Sequence, residues 1–398
     1  MRNSQPAVGV DFGTTNSVVA RVGEEGTIFR SILCFQGSPT RHLAGPAAAE
    51  AYLDDPGGCR LMMSMKTHLA QSALRDTLVF GRRMELEQLV GIFLGHLLRQ
   101  AGVAPGSRII AGRPVRFAGE RPDEPLAEAR LRAAFAQLGH EDVTLVPEPE
   151  AAGHRFAQRL TTPATVLVGD FGGGTSDFSV LRFIPGERAQ ALGHAGIGIA
   201  GDDFDAAIMR HAVAPLLGQD GHYTVVEQPL PIPVGFFAGF TRWHRLAQMR
   251  SPRQLRDIAE VARLSDVPGP LAALINLIED EQGLALYRAV ADAKAALSTA
   301  DETTLTFAHA KFHLQRRITR AEFDGWIARD VARIAATVDA ALAAAGADDS
   351  MIDHVFLTGG SAYVPAVRRI FETRFGPGRL AGGGEFTSVA EGLALMGA

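Results

Sequence analysis

Two stretches of this chain repeat one device. Val8-Gly9-Val10-Asp11-Phe12-Gly13-Thr14-Thr15-Asn16-Ser17 and Val168-Gly169-Asp170-Phe171-Gly172-Gly173-Gly174-Thr175-Ser176-Asp177 each run from an apolar strand through Asp-Phe-Gly into glycine and small hydroxyl residues. A strand that ends in such a turn exposes backbone N–H groups able to hold phosphate oxygens. The aspartate at the strand end suits a divalent metal ion reached through water. Two of these turns, placed face to face, would grip a nucleoside polyphosphate and its metal from both sides. A chain carrying the pair is constrained to a duplicated α/β unit, two lobes with a cleft where the turns meet.

The 398 residues allow two to four domains, and a composition of 46% hydrophobic and 21% charged residues is ordinary for a globular protein. A net charge of −5 offers no footprint for nucleic acid. No run approaches the roughly 18 apolar residues of a membrane span, and the polar Met1–Pro6 lacks the apolar core of a signal peptide. Cys34 and Cys59 have no CxxC spacing and read as reduced thiols of a cytosolic protein. The 12 histidines show no HxH ligand spacing and read as structural or surface residues. Three lysines, Lys66, Lys294 and Lys311, stand against 36 arginines, a bias that with the abundant Ala and Gly points to a GC-rich bacterial genome. Where Arg is the default cation, a retained Lys marks a place for a compact charge on a flexible stem, as at a cramped phosphate.

Along the chain, residues 7–22 read as two strands joined by the first turn, and 27–35 as further strand. Residues 37–60 read as loop with a short helix. Leu86, Leu89, Val90, Phe93, Leu97 and Leu98 have the spacing of a helix with one buried face over 84–101. A strand over 108–115 ends at Pro114-Val115, a helix over 126–138 closes at Gly139, and a strand over 143–147 delivers Glu148-Pro149 to the start of another helix. The second half opens with a strand from Ala164, the second turn and a return strand over 177–183. Residues 193–205 read as a glycine-rich loop becoming helical at 202–205, and 221–240, broken by Pro and Gly, as irregular. Residues 241–300 read as mostly helical, and Leu305-Thr306-Phe307 as a short strand. Thr319-Arg320-Ala321-Glu322 is a capping box for a long helix ending near Gly346. A strand over 354–358 enters Gly359-Gly360-Ser361, and 388–396 is a final helix.

These residues resemble a known family. Asp11–Ser17, Glu148-Pro149-Glu150-Ala151-Ala152, Asp170–Asp177, Gly201-Asp202-Asp203-Phe204-Asp205 and Thr358-Gly359-Gly360-Ser361 fall in the order and spacing of the actin-fold nucleotide-binding domain of DnaK-type heat-shock chaperones. Arg113-Pro114-Val115-Arg116-Phe117, Gly193-His194-Ala195-Gly196-Ile197-Gly198 and Ala381-Gly382-Gly383-Gly384-Glu385-Phe386 look like the YegD-like branch in particular. The resemblance implies a two-lobed, actin-like (ribonuclease-H-like) α/β ATPase fold. Lobe I would be residues 1–164, with 377–398 packing back on it, and lobe II residues 165–376. It implies ATP or ADP with Mg²⁺, and room for a monovalent cation such as K⁺.

Residue by residue, the resemblance assigns Asp11 and Asp170 to the metal through its water shell. It gives the phosphate cradles to the amides of Gly13, Thr14, Thr15 and Asn16 and of Gly172, Gly173, Gly174 and Thr175. Lys66 would reach the terminal phosphate and the attacking water, Glu148 would stand near that water, and Thr175 would place a hydroxyl near the γ-phosphate. Charge neutralisation and positioning by such groups is what phosphoryl transfer needs. Gly201 and Asp202 match the ribose-side turn, Lys294 and Ser298 a helix over the adenosine, and Gly359, Gly360, Ser361 and Tyr363 the opposite wall. Ala291, Ala295 and Tyr363 stand where the family often has Glu, Arg and Arg, although Tyr can stack on a base. Singly, each residue has a structural alternative. The aspartates can cap turns, Lys66 can be a solvated surface group, Glu148 can favour a helix N-terminus, and Gly359-Gly360 can be a tight turn.

The expectation is an ATP-binding, slowly hydrolysing, chaperone-like protein whose nucleotide state is presented to a protein partner, with no nucleic acid and no membrane involved. The family's peptide-binding domain is expected to be absent, since Ala398 falls near the end of the nucleotide domain. The alternatives are a nucleotide-binding module without useful hydrolysis and an actin-fold small-molecule kinase.

Overall fold

A computed structural model of the chain describes residues 7–119, 121–185, 187, 189–239, 251–381 and 387–397. Its first half begins with the hairpin of β1 (Val8–Asp11) and β2 (Asn16–Ala20), extended antiparallel by β3 (Thr27–Arg30). A small sheet follows, β4 (Ile32–Gln36) between β5 (His42–Ala44) and β6 (Cys59–Met63), with α1 (Pro46–Asp54) between the last two in sequence. Next come α2 (Met65–His68), the hairpin β7 (Asp76–Val79) and β8 (Arg82–Glu85), and α3 (Leu86–Gln100). The expected apolar stripe of α3 is buried, and Glu85 and Gln88 close a capping box at its start. Then β9 (Ile109–Arg113), α4 (Glu124–Ala136), β10 (Val143–Pro147) and α5 (Glu148–Ala157) complete a five-stranded sheet in the order β10-β9-β1-β2-β3.

The second half opens with β11 (Ala164–Phe171), β12 (Ser176–Phe183) and β13 (Gln190–Ile197), followed by α6 (Gly201–Ile208). After β14 (His222–Val225), β15 (Gln228–Pro231) and α7 (Gly235–Ala238) come three helices: α8 (Pro252–Leu264), α9 (Pro268–Glu279) and α10 (Gly283–Leu297). The hairpin β16 (Glu302–His309) and β17 (Phe312–Thr319) leads into α11 (Arg320–Ala344), then β18 (His354–Thr358), α12 (Pro365–Phe375), β19 (Leu380–Ala381) and α13 (Ser388–Met396). The second five-stranded sheet has the order β13-β12-β11-β18-β19. Each large sheet puts its first strand at the centre, two antiparallel neighbours on one side and two parallel strands on the other. The duplication read from the two Asp-Phe-Gly runs is therefore a duplication of sheet topology.

Contacts divide the chain into two compact units: Met1–Tyr52, Cys59–Gly201 and Asp330–Ala398 in one, Leu53–Gly58 and Asp202–Arg329 in the other. Both large sheets lie in the first. Within it, one apolar cluster joins the sheets: Ile110 and Val146 from the first, Val166, Val168, Leu181 and Phe356 from the second, with Ala151, Ala152 and Phe156 of α5 and Val389 and Leu393 of α13 among them. The helices approach closely because small residues meet there. A Cβ on Gly392 would lie 1.8 Å from the Ala151 carbonyl oxygen, and one on Gly9 would lie 2.1 Å from that of Ala390.

Four expectations are corrected. The break at Ser31 divides the 27–35 stretch into β3 and β4, because the Ser31 amide and hydroxyl turn inward to bond the carbonyls of Thr15 and Gly13 at 2.9 and 2.8 Å. The glycine-rich 193–197 segment is not loop but the second half of β13. Its glycines serve close approach: a Cβ on Gly193 would lie 2.4 Å from the Ala345 amide, and one on Gly196 would lie 2.4 Å from Asp177 Oδ1. The prolines of 221–240 do not prevent a hairpin, since β14 and β15 form an isolated pair in which Pro229 and Pro231 lie on one strand. Leu305-Thr306-Phe307 is the middle of an eight-residue strand paired throughout with β17. Among the described residues no helix is long and apolar enough to cross a membrane. Met1–Pro6, residues 241–250 and the Gly382–Phe386 part of the last glycine motif lie outside the described residues.

Candidate functional site

Lys66 and Glu148 meet inside the first unit. Lys66 Nζ lies 2.5 Å from Glu148 Oε1, and both side chains are buried. Ser64, in the left-handed region at φ 49°, turns the chain sharply from β6 into the one-turn α2 that carries Lys66. Glu148 is the first residue of α5, set there by Pro147 and Pro149. Its side chain lies over Gly112 of β9, where a Cβ would stand 2.9 Å from Glu148 Cγ. Only glycine leaves that space.

Three further carboxylates surround the pair. Asp11 ends β1, and Asp170 faces Asp177 across the β11–β12 ladder. Burial pushes the Asp11 carboxyl up to about 7, with Glu148 adding and Lys66 opposing. Burial likewise drives Asp170 well above the usual carboxylate range, reinforced by Glu148, Asp11 and Asp177. Asp177 rises to about 7, first through burial and then through Glu148. Burial alone would lower the Lys66 ammonium, but Glu148, Asp11 and Asp170 hold it above its ordinary value. Four acids thus share one cation. Asp11 Oδ1 and Asp177 Oδ2 are buried without a hydrogen-bond partner, which suits a site that receives positive charge. Among the described residues no group of three or more His, Cys, Asp or Glu is arranged to hold a metal directly. The buried acids fit a site for positive charge.

The two glycine turns face each other. A Cβ on Gly174 would lie 3.4 Å from Thr14 Oγ1 of the first turn and 3.7 Å from Thr67 Oγ1 beside Lys66. The first turn is tight, since a Cβ on Gly13 would lie 1.9 Å from the Asn16 carbonyl oxygen. It is braced by Ser31, whose hydroxyl also meets that of Ser17 at 2.8 Å, while Thr15 gives its carbonyl to the Ser31 amide. The second turn closes through a 2.9 Å bond from the Gly172 amide to the Thr175 carbonyl, with Gly173 at its bend. Beside it, Thr358 is in register with Asp170, and Gly359 at φ 86° brings its backbone against the end of β11. A Cβ there would lie 2.1 Å from the Phe171 carbonyl oxygen. Gly360, Ser361 and Tyr363 follow in a short 3₁₀ turn, Ser361 buried and Tyr363 45% exposed.

The structure thus brings Asp11, the Gly13–Asn16 turn, Lys66, Glu148, Asp170, the Gly172–Thr175 turn and Gly359–Ser361 into one unit, whose middle segment ends at Gly201. The other unit holds Asp202, Lys294 and Ser298. There Lys294 Nζ pairs with Asp205 Oδ1 at 2.8 Å, and Ser298 ends α10 with its hydroxyl on the Lys294 carbonyl.

Sequence reasoning assigned no role to Asp177, although it quoted the residue. Its side chain is 1% exposed, and its Oδ1 accepts the amides of Val115 and Arg116 at 2.9 and 3.2 Å. An acidic residue at the start of the return strand, two places past Thr175, was the available signal. Thr67 and Ser31 carried none.

Comparison with known proteins follows the geometry. A family model described as "Hsp70 protein" matches residues 274–398. Chaperone protein DnaK of Deinococcus deserti is 26% identical over 411 aligned positions, which take in 93% of this chain and 56% of the DnaK chain. The chain thus spans about half the length of that curated relative.

Proposed function

We propose that this chain, which is similar to DnaK/Hsp70 proteins, binds ATP or ADP between the Gly13–Asn16 and Gly172–Thr175 turns and hydrolyses ATP slowly. The observation that carries this reading is the placement of Gly174 against Thr14 and Thr67, with the buried Lys66–Glu148 pair alongside. The turn amides receive the phosphate oxygens. Lys66 brings a held positive charge to the terminal phosphate, Glu148 keeps Lys66 extended and orients water, and Thr175 offers a hydroxyl. Each contribution is preorganised charge in a site that excludes bulk water.

Asp11 and Asp170, with Asp177 behind them, would hold Mg²⁺ through its water shell, and K⁺ would suit the same acidic surroundings. The metal, when bound, supplies charge neutralisation at the phosphates. Gly201, Asp202, Lys294, Ser298, Gly360, Ser361 and Tyr363 serve the nucleoside in this reading. Tyr363 offers a stacking face, and Ala291 and Ala295 relax the choice of base. We assign lobe I to 1–164 with 377–398 and lobe II to 165–376. Nucleotide state sets their closure and is read by a protein partner. We place the chain in the YegD-like branch, which its Arg113–Phe117 and Gly193–Gly198 runs resemble, and in a bacterial cytosol.

Phosphate release from ATP with Mg²⁺ tests this. Lys66→Ala and Glu148→Ala are each expected to lower it by roughly 10²-fold, the scale of losing one preorganised charge-stabilising group. Equal, background release from all three proteins, with nucleotide still bound, would leave a binding module. ADP formation that requires an added hydroxyl acceptor would mean a kinase.

A further inference from the structure

We propose that Arg130 of α4 is the positioning residue for Lys66, fastening the turn that carries it. The proposal rests on the Lys66 role just given. Arg130 is 6% exposed, far inside for an arginine. Its Nη1 donates to the carbonyls of His68, Leu69 and Gln71 at 3.3, 2.9 and 3.1 Å, and its Nη2 donates to that of Leu74 at 2.8 Å. Its Nε lies 3.8 Å from Glu87 Oε2 on α3, the partner for its charge. The next carbonyl in the segment, that of Ala70, accepts the amide of Asp123, which caps the same α4. Nearly every carbonyl leaving α2 is thus taken by α4.

The need for such a clamp follows from the local structure. α2 is four residues long, too short to hold itself. It is entered through Ser64 in a left-handed conformation, and the Ser64 hydroxyl is buried without a partner. Leu69 and Ala70 are buried, so no water replaces a missing donor to the carbonyls there. A guanidinium can serve four acceptors spread along a turn, and it complements the negative end of the helix. A lysine ammonium is a single point and cannot span them. Lys66 reaches Glu148 from an element 82 residues away in sequence, so a shift of α2 by about an ångström is enough to spoil their alignment.

The chain's three lysines make this readable without any turnover. Acylate the folded full chain with an amine-reactive ester and follow Lys66, Lys294 and Lys311 separately by mass spectrometry. In the unsubstituted chain Lys66 is expected to label slowest. In Arg130→Lys, and more so in Arg130→Gln, labelling of Lys66 is expected to rise at least roughly tenfold, the factor of a modest loss of pairing, with Lys294 and Lys311 unchanged. In parallel, phosphate release should fall in Arg130→Lys with nucleotide affinity kept, and Arg130→Lys should cost nothing further in a Lys66→Ala background. Unchanged Lys66 labelling, a parallel rise at all three lysines, or a chain that no longer folds with Arg130→Lys would overturn the proposal. If the unsubstituted chain releases no phosphate, hydrolysis is lost as a function, while the labelling still decides whether Arg130 positions Lys66.

Discussion

Proton linkage at single residues follows from the crowding of Asp11, Glu148, Asp170 and Asp177 around Lys66. Asp177 holds its proton to about pH 7 in the folded chain, against an ordinary value of 3.8. Folding therefore favours the protonated form. Its contribution to stability is fully present below about pH 4 and is lost as pH rises through about 7. Asp177→Asn keeps an oxygen for the Val115 and Arg116 amides but cannot ionise. Ligand-free melting temperature should fall less between pH 5 and 7.5 in Asp177→Asn than in the unsubstituted chain. Identical slopes would show that Asp177 does not titrate in this range. A cation in the site acts in the opposite sense: it favours the ionised acids, so its binding should release protons and strengthen as pH rises.

The close crossing of α13 with α5 matters most among the elements. Gly392 has no room for a methyl group against the Ala151 carbonyl oxygen, and this crossing lies in the cluster that joins the two large sheets. Gly392→Ala is expected to cost about 1–3 kcal/mol, as overpacking does in a filled core. Thermal melts with Gly325→Ala, an α11 position with nothing nearby, make the comparison, and equal melting temperatures would refute the packing. Helices such as α3 were legible because their period and caps are local properties of the chain. So were the two turns, because Asp-Phe-Gly followed by small residues has few structural uses. The β13 strand was not legible. Gly193 and Gly196 look like loop residues until Ala345 and Asp177, distant in sequence, are seen to require them. The β14–β15 hairpin hid for a related reason: its two prolines break a central strand but not an isolated pair. Asp177 and Arg130 were missed as site residues because their roles are set by carbonyls and amides of other elements.

At the scale of the whole molecule, two sheets of one topology present matching turns to each other, and the central claim is that these turns hold a polyphosphate and its cation. Binding of such a ligand raises stability by mass action, so the chain should melt higher with nucleotide and Mg²⁺. Calorimetric titration with ATP, ADP and GTP in the presence of Mg²⁺ tests the claim most directly. Saturable binding of about one adenine nucleotide per chain is expected, weakened roughly tenfold or more when Mg²⁺ is chelated, in line with the proton and metal linkage of a crowded acidic site. No heat of binding with any of the three nucleotides at millimolar concentration, from a chain shown to be folded, would contradict it.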